Sequence, residues 1–194
     1  MGEKSEQKKQ FILECAKKVF TEKGYKDVTM KDIVEACGIS RGGLYLYYGS
    51  TKEIFMDILN REMQETDDIF SDSISEETAA TDILMLFLKE QKKELLRKKN
   101  SLILATYEFF FANRMPKKEN PLKKRFDEAV YILEKLIESG VESGEFYCES
   151  AKDTARNIMY VLEGLKITAK TMGISEESVD KELLYIMQGL VIEE

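Results

Sequence analysis

The stretch TMKDIVEACGISRGGLYLYY, Thr29 to Tyr48, decides the fold. In its first half Met30, Ile33, Val34 and Cys37 recur at helical spacing, which predicts a short helix with one apolar face. Thr29 and Asp32 stand where a capping box begins such a helix, with Asp in place of the usual Glu or Gln. Gly38 can take the positive φ of a sharp turn, and Ile39 can tuck back between the flanking helices. Ser40 then caps another short helix, over about residues 41–47, that carries Arg41, Tyr45 and Tyr47. Two short helices joined by so tight a turn are the means by which a protein places a helix start in a DNA major groove.

Upstream, Phe11, Ile12, Cys15, Ala16, Val19 and Phe20 share one face of a helix predicted over 5–23, and Gly24 supplies its left-handed stop. Tyr25 and Val28 would close a small core from the connecting loop. Downstream, Ser50 and Glu53 form a full capping box, opening a fourth helix that runs to about residue 70. Five further helices follow. Ile83, Leu84, Phe87 and Leu88 mark the fifth; residues 102–112 form an aromatic sixth; residues 122–139 form a seventh, stopped by Gly140. Ser150 caps an eighth, ended by Gly173, and Ser175 opens a ninth. Pro116 and Pro121, the two prolines of the chain, bracket a single loop. The expected fold is all-α, with about nine helices: a DNA-binding head over 1–50 and a helical ligand-binding and dimerisation body over 51–194.

Composition narrows the function. The 194 residues contain no histidine. That removes the usual general base, the commonest transition-metal ligand and every Ser/His or Cys/His nucleophile pair. No enzyme, metal or cofactor role is expected. Cys15, Cys37 and Cys148 are scattered and odd in number, as core thiols of a reducing cytosol are. No apolar run approaches the roughly 20 residues that span a bilayer, and the polar start MGEKSEQKKQ has no signal-peptide centre; a cytoplasmic location without a membrane partner is expected. The net charge of −7 divides unevenly. Residues 1–55 hold 10 Lys and Arg against 8 Asp and Glu, and residues 56–194 hold 19 against 28. A weakly basic head on an acidic body suits a protein whose DNA contact lies at one end.

Within the head, Arg41 points outward if Ile39 and Leu44 point in, and an exposed Arg can grip guanine or phosphate, or simply be solvated. Gly42 and Gly43 each cost helix stability, so their pairing means either close backbone approach to a large partner or tight internal packing. Tyr45 and Tyr47 leave the helix in different directions, and one face cannot bury both. Thr29, Ser40 and Lys52 begin helices 2, 3 and 4, where unpaired N–H groups receive phosphate.

These residues resemble those of the tetracycline-repressor (TetR) family of bacterial regulators. The resemblance spans roughly residues 9–59: FTEKGY at 20–25, the quoted stretch at 29–48, and STKEIF at 50–55. It implies an all-helical homodimer in which helices 1–3 bind DNA, helices 4–7 enclose a ligand, and helices 8 and 9 pair with the partner's. By that resemblance Thr29, Lys31, Ser40, Arg41, Gly43, Tyr45, Tyr47 and Lys52 match DNA-touching positions. Two departures stand out. Thr51 intervenes before Lys52, so this lysine lies one place later than the family's. Leu46, between the tyrosines, can meet a thymine methyl but donates no hydrogen bond.

The function expected is a ligand-responsive regulator, a repressor of a palindromic double-stranded DNA operator, released by a small lipophilic molecule. Tyr107, Phe110, Phe111, Tyr131 and Met159 either line the effector's pocket or pack the core. Two rivals remain: a helical protein-interaction module, and a carboxylate-based helical enzyme using Asp67–Asp68 or Glu76–Glu77 whose head mediates assembly.

Overall fold

A computed structural model of the chain describes residues 2–72, 78–97 and 101–190, with the backbone alone over 63–72. Nine helices and no strand occur among the described residues: α1 (Glu3–Lys23), α2 (Met30–Cys37), α3 (Arg41–Tyr45), α4 (Thr51–Asp72), α5 (Ala80–Leu96), α6 (Ile103–Ala112), α7 (Pro121–Glu142), α8 (Ala151–Thr171) and α9 (Glu176–Gln188). Asp67, Asp68, Glu76 and Glu77, the carboxylates of the enzyme alternative, lie outside the residues whose side chains are described.

Packing divides the chain into two compact units, neither of them continuous in sequence. The first joins residues 1–69 to 98–116; the second joins 70–97 to 117–194. The sixth helix therefore packs with the head. Its Phe109 is fully buried, with its ring centroid 5.1 Å from Phe55 and 4.9 Å from Tyr25, while Phe20 meets Phe55 at 4.8 Å. Each such aromatic pair contributes about 0.5–1.5 kcal/mol beyond the area it buries. Glu108, beside Phe109, accepts the backbone N–H groups of Tyr25 at 2.7 Å and Lys26 at 3.1 Å. It thereby satisfies the loop that leads into α2. Gly24, with φ +79, ends α1 at this point, and a Cβ there would lie 2.6 Å from the Glu108 carboxylate.

The second unit packs α5, α7, α8 and α9 around Leu84, Leu133, Ile137, Ile158, Leu162 and Val179. Gly140 does not stop α7, contrary to expectation. The helix passes through it to Glu142, and the left-handed residue is Gly144, φ +79. Gly140 is instead a bare spot that receives the buried ring of Phe146, whose N–H returns to the Gly140 carbonyl at 2.9 Å.

Glu145, in the same turn, closes the N-terminus of α5 in place of a local cap. Its carboxylate accepts the N–H groups of Ala80 at 3.1 Å and Thr81 at 2.9 Å, and the Ser143 hydroxyl at 2.9 Å. The Thr81 N–H first, and the Ser143 hydroxyl next, hold its carboxyl down from the ordinary 4.5 to about 2. The folded state then binds fewer protons than the unfolded state between these values. Its contribution is fully present above pH 4.5 and is lost as pH falls toward 2. Glu145→Gln should flatten this limb of an acid-unfolding curve followed by circular dichroism, while a wild-type slope in the variant would show that other carboxylates govern it.

Candidate nucleic-acid interface

Local hydrogen bonding builds the two-helix element much as the sequence suggests. The Thr29 hydroxyl accepts Asp32 N–H at 3.3 Å, and the Asp32 carboxylate accepts Thr29 N–H at 2.8 Å, a reciprocal capping box. Gly38 takes φ 61 and ψ 32 and sends its N–H back to Glu35 and Val34. Ser40 caps α3 by accepting Gly43 N–H at 3.1 Å. For α4, Ser50 accepts Glu53 N–H at 3.2 Å, while the Glu53 carboxylate reaches back to Gly49 N–H at 2.9 Å.

The third helix is shorter than predicted. It ends at Tyr45, because Tyr47 N–H turns back to Leu44 at 3.0 Å. Leu44 and Tyr48 are buried in the head's core. Both Arg41 and Tyr45 are exposed, and the Arg41 guanidinium stands over the Tyr45 ring, 5.6 Å from its centroid, within cation–π range. Leu46 is 83% exposed. A Cβ added at Gly42 would meet nothing within 4 Å, whereas one at Gly43 would come to 3.2 Å from the Ser40 hydroxyl. Of the two readings of the glycine pair, internal packing therefore does not account for Gly42.

Thr29, Lys31, Ser40, Arg41, Gly42, Tyr45, Leu46 and Lys52 are all exposed, and Gly43 and Tyr47 are half-buried. Tyr47 and Lys52 line one concavity of about 590 Å³ with Ser50 and Met56. The extra Thr51 thus leaves Lys52 on the same rim as Tyr47. Among the described residues, neither Arg41 nor Lys52 has a carboxylate at ion-pair distance, whereas Lys31 faces Glu35 at 3.7 Å. At the start of α2 the Asp32 carboxyl is held well below its usual range, by Lys23 first and Thr29 next. That fixed anion opposes phosphate there, and Glu53 puts a carboxylate in the first turn of α4 as well, whereas α3 has no acidic residue in its first turn.

Behind the surface lies a polar network that sequence spacing did not reveal. The Tyr48 hydroxyl donates to Asp57 at 2.6 Å, and Lys9 pairs with the same carboxylate at 2.8 Å. Burial raises Asp57, but the Lys9 ammonium and Tyr48 hydroxyl outweigh it and hold the carboxyl low. Burial first, and then Asp57, push the Tyr48 phenol up, so it stays a neutral donor. The network ties α1 and α4 to the end of the reading element. Cys37 is buried, its thiol raised from 9.0 to about 12 by burial and by the neighbouring Cys15; it is an inert core residue, as expected. No cluster that could hold a metal occurs among the described residues, and no described helix is long and apolar enough to cross a membrane.

The aromatic pocket candidates are not gathered into one site within either unit. Tyr107, Phe110 and Phe111 belong to the first unit, where Phe110 packs against the head's core and Phe111 is exposed. Tyr131 and Met159 belong to the second, where Tyr131 is exposed and Met159 is buried. Core packing accounts for Met159.

A helix-turn-helix with its reading helix exposed, followed by six further helices, defines a DNA-binding regulator. Residues 12–58 match the family described as bacterial regulatory proteins, tetR family, and residues 83–180 match the tetracyclin repressor-like C-terminal domain. The chain belongs to the tetR family of bacterial transcriptional regulators. It is 35% identical over 136 residues to the HTH-type transcriptional regulator YfiR of Bacillus subtilis (strain 168), spanning 70% of this chain and 66% of YfiR. It is 24% identical over 135 residues to the fatty acid metabolism regulator protein of the same organism, covering 69% of this chain and 68% of that protein. In fold it is similar to a transcriptional regulator from Saccharomonospora viridis crystallised in complex with choline: TM-score 0.83, 22% identity, covering 97% of this chain and all of that one. Membership in this family favours a regulator over the interaction-module and carboxylate-enzyme alternatives.

Proposed function

We propose that this chain is a cytoplasmic homodimeric repressor, without enzymatic activity, that reads a palindromic operator and releases it on binding a small lipophilic effector. In this reading DNA contact lies within 1–50 and at Lys52 just beyond it, while effector binding and dimerisation fall to the rest of 51–194. The observation that carries the reading is the outward face of α3. Arg41, its guanidinium over the Tyr45 ring and with no carboxylate at ion-pair distance among the described residues, stands beside an unobstructed Gly42 and an exposed Leu46. Arg41 and Leu46 would meet base edges, Gly42 and Gly43 would admit the backbone closely, and Thr29, Lys31, Ser40, Tyr45, Tyr47 and Lys52 would hold phosphates.

Support for the dimer comes from α8 and α9, where Tyr160, Ile167, Leu184 and Tyr185 are all exposed, large apolar surface of the kind that partner helices cover. Two heads held by such an interface would read half-sites in successive major-groove faces. The acidic composition of the body and the choline bound by the S. viridis neighbour favour a cationic or neutral effector. DNA and effector would oppose each other through a coupling of about 1–3 kcal/mol.

Mobility shifts on DNA flanking the protein's own gene test this reading. Arg41→Ala should cost about 1–3 kcal/mol and relax sequence choice, while Lys52→Ala should weaken all sequences alike and lower the salt slope by about 1 per head. Unchanged affinity and specificity in both Arg41→Ala and Tyr47→Phe would remove the reading surface from α3. A monomer in size exclusion with light scattering would remove the dimer.

A further inference from the structure

The outward face of α3 is poor in hydrogen-bonding groups. From Arg41 to Leu46 it offers one guanidinium, one phenol and no amide or carboxylate. Bidentate recognition of adenine calls for Asn or Gln, and recognition of the cytosine amine calls for Asp or Glu; this helix has neither. What it presents instead is Leu46, more exposed than any other large apolar side chain among the described residues. A lone exposed leucine is ordinary, but this one closes the reading helix. By helical spacing it falls on the side away from buried Leu44 and one turn beyond Gly42, where an added Cβ would meet nothing within 4 Å. The thymine C5 methyl is the one apolar group on the major-groove edge.

We propose that Leu46 is a specificity-determining residue that packs on a thymine methyl in each half-site, so that sequence choice rests on one guanine held by Arg41 and one thymine covered by Leu46. The proposal rests on the DNA-binding reading above and adds its base chemistry. Gly42 serves it, since a side chain there would hold the leucine away from the base.

Duplexes selected from a random pool by the full chain supply the probe, with each thymine replaced singly by deoxyuridine. That exchange removes the methyl and leaves base pairing intact. Wild type should show one thymine per half-site whose replacement weakens binding about fourfold, the weight of one buried methyl group. Leu46→Ala should bind the thymine duplex more weakly and be indifferent to uracil at that position, while Arg41→Ala should keep the sensitivity. An unchanged melting curve for Leu46→Ala would confirm an intact fold. A wild-type chain that binds its duplex but ignores uracil everywhere, or a Leu46→Ala chain that keeps the sensitivity, overturns this proposal alone. A chain that selects no duplex overturns the DNA-binding reading along with it.

Discussion

Gly42→Ala should yield a protein that melts higher and binds its operator worse. The added methyl group meets no atom within 4 Å, and Gly42 lies within a helix. Removing glycine there stabilises by about 0.5–1 kcal/mol, because the unfolded chain loses freedom it no longer has to surrender. For a chain of this size that is a rise of roughly 1–4 °C. If α3 seats in the groove as proposed, the same methyl group would stand between its backbone and the DNA, and binding should fall at least about tenfold, or 1.4 kcal/mol. The opposed signs make the experiment decisive. A purely structural glycine gives a loss of stability, and a glycine away from DNA leaves affinity untouched. Thermal melts followed by circular dichroism, with mobility shifts on the same preparation, read both quantities.

Gly140→Ala should do the reverse, harming the fold while leaving the reading surface alone. A Cβ at this position would sit 2.1 Å from the Phe146 ring, and that ring is fully enclosed in the second unit's core. Relief requires the ring or the helix to move, at a cost of about 1–3 kcal/mol and a melting temperature lower by roughly 2–4 °C for each kcal/mol. Because one ring causes the whole effect, pairing the change with Phe146→Leu should cost less than the two single losses together. Strict additivity in that double-mutant cycle would mean that the ring is not the obstacle.

The two glycines also mark how far the sequence could be read. The helix-turn-helix was legible because its signals are local. The Thr29–Asp32 box, the left-handed turn at Gly38 and the Ser40 cap each act within three residues, and each was found where it was expected. The early end of α3 was a matter of one tightened turn. Gly140 was misread because a glycine near the end of an apolar pattern looks the same whether it stops a helix or admits a ring. The ring, Phe146, lies beyond the turn that brings it back. Glu108 and Phe109 carried no local signal for their role: the loop residues that Glu108 secures are 82 and 83 places away in the chain. The division at residue 50 reflects the motif and not the packing, since spacing cannot show that α6 joins the first unit. The aromatic residues of α6 read equally well as pocket or core for the same reason.

The seating of Phe109 and Glu108 against the α1–α2 loop bears on what a minimal DNA reader of this family would need. A fragment ending near residue 60 keeps every side chain on the outward face of α3. It also strips the cover from the rings of Tyr25 and Phe55 and leaves two loop amides without their carboxylate. The gene therefore spells its reader in two instalments, and the second arrives only with residues 98–116. During synthesis the α1–α2 loop stays unfastened until more than half the chain has been made.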